Sequence, residues 1–135
     1  MASGLYDFAK QEFLSANLDL TTILLKAVLV DAADYTVNLA THQDLADVAS
    51  AGRVSTTAAL AGKSVTGGVF DATDSVFASA TGDQSEAVII YFDSTVEATS
   101  TLIVYIDSGT GLPVTPSGAD INLLFDNGAN KIFKL

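Results

Sequence analysis

The sequence predicts a mainly β fold, a single β-sandwich with an N-terminal helix and one short helix. Two apolar runs, Ala87 to Phe92 and Leu102 to Ile106, are of strand length and rich in Val, Ile, Tyr and Phe, which suit a pleated, packed surface. The residues between them, Ser94 to Thr99, are small or polar apart from Val96, so an antiparallel pair with a short loop is the simplest connection. Apolar residues fill consecutive rather than alternate positions, which requires cover on both faces of these strands. A sandwich or a barrel core provides that cover. The runs also echo each other, Ile90-Tyr91-Phe92-Asp93-Ser94 returning as Val104-Tyr105-Ile106-Asp107-Ser108.

The other elements follow in chain order. Residues Met1 to Asn17 read as a helix with Ser3 as N-cap, Asp7 favouring the dipole, and Leu5, Phe8, Ala9 and Phe13 on one face. Thr22 to Asp31 is the first strand, interrupted only by Lys26. Thr41-His42-Gln43-Asp44 has the spacing of a capping box, which predicts a short helix over Gln43 to Val48 with Leu45 and Val48 inward. Arg53 to Leu60 reads as a strand. So does Ser64 to Asp71, with Gly67-Gly68 as a bulge or bend inside it, and Val76 to Ala78 is a further short one. Ser108 to Ala119 holds both prolines and is the longest loop. Ile121 to Phe125 and Lys131 to Phe133 flank Asp126-Asn127-Gly128-Ala129-Asn130, a hairpin signature. The chain therefore reads as one domain over residues 1–135, with a helical segment at 1–17 and the sandwich at 22–135.

Composition narrows the function. The 135 residues suffice for one core without staples, and with no Cys, disulfides and thiolate metal sites are excluded. No basic N-terminal region precedes an apolar segment and no run approaches the length of a bilayer span, so synthesis in the cytoplasm without an export address, and no membrane partner, are expected. Six Lys+Arg against sixteen Asp+Glu give a net charge of −10. Between Asp71 and Asn130 there is no Lys or Arg but nine carboxylates, so this surface cannot neutralise phosphates and a nucleic-acid partner is not expected. An acidic face keeps a protein soluble, or docks on a basic partner.

No catalytic, cofactor or metal residues are predicted. His42 is the only histidine and sits inside the capping-box stretch, where a polar residue is expected anyway. There is no Gly-x-Ser-x-Gly elbow, and Gly62-Lys63-Ser64 lacks the earlier glycine of a phosphate-binding loop because Thr57 stands in that place. Asp31, Asp93, Asp107 and Asp126 all end apolar strands. Two on one rim could form a glycosidase pair or a calcium site, but Asp ends strands more commonly by bonding the turn that follows.

Four stretches carry a family resemblance: GLYDFAKQEFLS, KAVLVDAADYTVNLATHQDLADV, LIVYIDSGTGLPVTPSGADI and the terminal FDNGANKIFKL. Together they resemble small proteins encoded in the structural regions of tailed bacteriophages and prophages, and within that setting most resemble a head decoration, or cement, protein. The resemblance implies a jelly-roll-like sandwich and a non-enzymatic role. It also implies a place on the outer surface of the phage head, with the major capsid protein and/or copies of itself as partners in an oligomeric virion. A tail or neck component of the same virion and a carbohydrate-binding sandwich are the alternatives. The candidate interface residues are the apolar anchors of the two termini: Leu5, Phe8 and Phe13, and Ile132, Phe133 and Leu135.

Overall fold

The computed structural model describes residues 3–135; Met1 and Ala2, the start of the expected helix, lie outside the described residues. Strands hold 31% of the described residues and helices 13%, so sheets carry the core, arranged as a β-sandwich. The chain runs β1 (Gly4–Leu5), α1 (Asp7–Leu14), β2 (Leu25–Val30), β3 (Arg53–Thr56), β4 (Ser64–Thr66), β5 (Val69–Asp71), β6 (Ser75–Phe77), β7 (Ala87–Phe92), β8 (Leu102–Ile106), β9 (Ile121–Leu123) and β10 (Phe133–Lys134). Single 3₁₀ turns occupy Leu45–Asp47, Ser50–Gly52 and Glu97–Thr99.

The main sheet has the order β1-β8-β7-β2-β3 and its pairs are antiparallel. Ala27, Ile90, Val104 and Leu5 form one cross-strand row, and Val28, Ile89, Tyr105 and Gly4 form the next. Alternation puts these rows on opposite faces. Both faces are covered, which is why β7 and β8 are buried along nearly their whole length. On the Tyr105 face lies the segment that follows β2, with the Tyr35 ring 6.5 Å from that of Tyr105. On the Val104 face lie two smaller units, the sheet β10-β5-β4 and the ribbon β6-β9. The expected core residues Val88, Ile90, Leu102 and Val104 are all buried, and Ile121 is half-buried.

Four expectations need correction. The N-terminal helix begins only at Asp7, with Tyr6 as an N-cap that makes no side-chain cap bond. Gly4 and Leu5 instead pair with Tyr105 and Val104 along the edge of β8, where ladder bonds win over helical ones. A Cβ at Gly4 would lie 2.8 Å from Leu39 Cδ1, so a larger residue here would have to push the end of the Leu39 side chain aside. Ser3 caps nothing: its hydroxyl donates to Asp107 Oδ1 and accepts the Asp107 N–H. Second, the capping box is displaced by three residues. Asp44 is the N-cap and Asp47 the reciprocal acid, and the turn they close is a 3₁₀ turn, with Leu45 and Val48 buried as expected.

Third, Gly67-Gly68 is no bulge. Both glycines have positive φ (60° and 78°), and they turn β4 back on β5 as a two-residue hairpin. Fourth, Ile121–Leu123 and Phe133–Lys134 do not pair with each other. β9 pairs with β6 and β10 with β5, because Phe133 finds Phe70, ring centroids 5.5 Å apart, across the sheet. Asp126 Oδ1 accepts the Gly128 N–H, closing an Asx turn in place of the expected tight hairpin.

Candidate functional site

The missing β9–β10 pairing leaves a cleft of about 1000 Å³ between the layers. Its floor is the Val104 face of the main sheet, including Leu5, Leu29, Val88 and Ile106. One wall is the continuous stretch Ile121–Asp126 and the other Lys131–Lys134. The loop after β8, Ser108–Leu112, borders the same space, and Val114 beyond it is anchored by reciprocal backbone bonds with Ser85.

The candidate anchors from the two chain ends meet here. Leu5, Ile132 and Phe133 line the cleft, and Phe13 stacks on Phe133 with ring centroids 6.3 Å apart. Phe8 is half-buried on α1, while Leu135, whose N–H donates to the Gly68 carbonyl, is 65% exposed. Sequence reasoning missed two further exposed apolar residues. Leu14, next to Phe13, is 90% exposed, and Leu124, on the β9 wall, is 71% exposed. Leu14 is the last residue of α1 and lies off its apolar face, and nothing in the sequence marked its exposure.

The charge pattern of this face is distinct. Lys10, Lys26 and Arg53 form ion pairs with Asp7, Asp93 and Glu97, each at 2.8 Å, and Lys63 Nζ donates to the Ile23 carbonyl. The remaining two cations, Lys131 and Lys134, both line the cleft and make no ion pair among the described residues. The Lys26 ammonium beside Asp93, helped by the Thr95 N–H, holds the Asp93 carboxyl below its usual range.

No protein-family model matches the chain, and a search of curated proteins finds no match.

His42, the only imidazole, is committed inside the fold. Its Nδ1 lies 2.8 Å from Tyr35 Oη, which lies 3.0 Å from Tyr6 Oη. All three groups are satisfied when Tyr6 donates to Tyr35 and Tyr35 donates to the imidazole. Tyr6 is fully buried, and burial raises its phenol far above the ordinary range; burial likewise pushes the Tyr35 phenol up to about 12. The strand-ending aspartates do not converge on one another. Asp93 pairs with Lys26, Asp126 bonds its own turn, and Asp107 holds Ser3. Asp31, the fourth, approaches Asp34 and Asp83 instead, with carboxylate oxygens within 4.8 Å of one another. Asp31 also accepts the Ala33 N–H, the turn-closing role expected of it. Among the described residues, no helix is long and apolar enough to cross a membrane.

Proposed function

We propose that this chain is a non-enzymatic structural subunit of a tailed-phage virion, a head decoration protein on the outer surface of the shell that stabilises the head by bridging major capsid subunits. The observation that carries the reading is the meeting of terminal anchors at one cleft: Leu5, Ile132 and Phe133 line it, Phe13 stacks on Phe133, and Leu124 on its wall is left exposed, as is the terminal Leu135. Solvent-facing apolar surface beside a cleft is characteristic of a protein-binding face. A contact of roughly 800 Å² per partner is of standard size for a specific complex. The rest of the surface is strongly acidic, with no cation between Asp71 and Asn130. That favours the outside of the shell, away from packaged DNA. The phage-protein resemblance of the four sequence stretches gives the virion setting.

The test adds wild-type protein and a Leu135→Asp variant to undecorated heads of a phage carrying this gene. The expected result is saturable occupancy at regular lattice positions, with raised resistance to heat and osmotic shock, and at least about tenfold weaker binding by the variant. Wild-type protein that ignores heads and joins purified tails or necks would replace this reading with the tail or neck one.

A further inference from the structure

We infer that the cleft is a slot for one extended segment of the partner protein, which enters as an added β-strand between β9 and β10. The inference rests on the reading of this face as a docking surface, and it names the chemistry that the surface recognises. The layer on the Val104 face is split into two units, β6-β9 and β10-β5-β4. Among the described residues, β9 and β10 each pair on one side only, and the cleft lies between them. Its walls are runs of consecutive residues, 121–126 and 131–134, whereas a strand that offered a face would contribute alternate ones. Strand edges therefore border this space.

An open edge carries backbone N–H and C=O groups that call for another strand. On β10 these groups can be assigned. The Ile132 N–H goes to the Phe70 carbonyl and the Leu135 N–H to that of Gly68. Leu135 and Gly68 continue the register of the Phe133–Phe70 pair, so Phe133 and Leu135 bond to the β4-β5 hairpin. Lys134, between them, turns its N–H and C=O the other way, to the cleft. On β9 the same alternation leaves at least one residue of Ile121–Leu123 with its backbone groups on the open side. A simple anion would use the lysines alone and an apolar molecule the floor alone. A strand uses both together with the two edges. Its alternate side chains define the occupant: apolar ones against Leu29, Val88 and Val104, and acidic ones outward, favoured by Lys131 and Lys134, which make no ion pair among the described residues.

The test titrates a capped peptide of about seven residues, alternating valine and glutamate, into the full chain, read by amide NMR and hydrogen exchange. Binding is expected to saturate below about 1 mM. The Lys134 amide and at least one amide of Ile121–Leu123 are expected to exchange about tenfold more slowly in the complex. The same peptide with its valine amides N-methylated keeps every side chain and loses backbone donors, and is expected to bind about tenfold more weakly. On the protein side, Lys134→Pro removes the N–H at the open edge without removing a bond to β5, and a similar loss is expected. Lys134→Gln removes only the charge and is expected to cost less. Far-UV circular dichroism and urea midpoints check that both variants keep the fold. Unprotected amides at about 1 mM peptide, or an N-methylated peptide that binds as well as the parent, overturn the strand slot. Equal losses in the two variants would leave charge as the whole cause and overturn it too. A folded Lys134→Pro protein that decorates heads as fully as wild type would sink the slot and leave the decoration reading standing; a chain that takes the peptide but ignores heads does the reverse.

Discussion

Phe13 and Phe133 stack with ring centroids 6.3 Å apart and planes at 27°, joining the helix near the start of the chain to the last strand. Phe133 also packs on Phe70 at 5.5 Å, so its ring bridges α1 and the β10-β5-β4 sheet. A double-mutant cycle of Phe13→Ala and Phe133→Ala, read by urea denaturation, is expected to give a coupling of about 0.5 to 1.5 kcal/mol. Phe133→Ala alone is expected to cost more than Phe13→Ala, because only Phe133 loses the Phe70 contact as well. Additive single effects would mean that the ring pair contributes no stability.

The Tyr6–Tyr35–His42 chain makes the fold sensitive to alkali. Burial raises the phenols of Tyr6, Tyr35, Tyr91 and Tyr105 above their ordinary value. A raised folded pKa contributes stability that is fully present below the unfolded value, about 10 for tyrosine, and is lost as pH rises through the folded value. Stability should therefore fall continuously above about pH 10, with phenolate absorbance near 295 nm appearing together with unfolding. A phenolate signal that develops while the fold persists would contradict this.

Within that chain the middle residue matters most. Tyr35→Phe leaves the fully buried Tyr6 hydroxyl without its partner and is expected to cost about 1 to 3 kcal/mol. Tyr6→Phe leaves Tyr35 donating to His42 and is expected to cost about 1 kcal/mol or less. Urea midpoints of the two variants give the comparison, and the reverse order would mean that Tyr35 finds no partner in Tyr6.

The end of α1 offers a stabilising change. Ala16 sits at φ 59°, with its N–H on the Phe13 carbonyl and the next N–H, from Asn17, on the Glu12 carbonyl. This is the left-handed position that glycine normally fills after a helix. Ala16→Gly is expected to stabilise the protein by about 0.5 to 1 kcal/mol, the relief of strain exceeding the added freedom of the unfolded chain. An unchanged or lowered thermal midpoint would show that the strain is not stored there.

By itself, the sequence determined the elements whose burial is written in consecutive residues. Ala87–Phe92 and Leu102–Ile106 are strands with the bounds their apolar runs predict, paired and covered on both faces. It also determined the turn-closing aspartates, because an Asx turn is a bond between near neighbours. Only the tertiary structure decided what depends on distant partners. Gly4-Leu5 fits a helical face, but β8 offered its edge. Asp126 to Asn130 reads as a tight turn, but Phe70 and Ser75–Phe77 captured its two flanks and opened the cleft between them. Tyr6 and Tyr35 carry no mark in the sequence that they will share a hydrogen bond. The physical reason is the same each time. Periodicity and turn chemistry act over a few residues, whereas an edge strand, an aromatic contact or a buried hydroxyl is settled by whichever surface the fold brings against it.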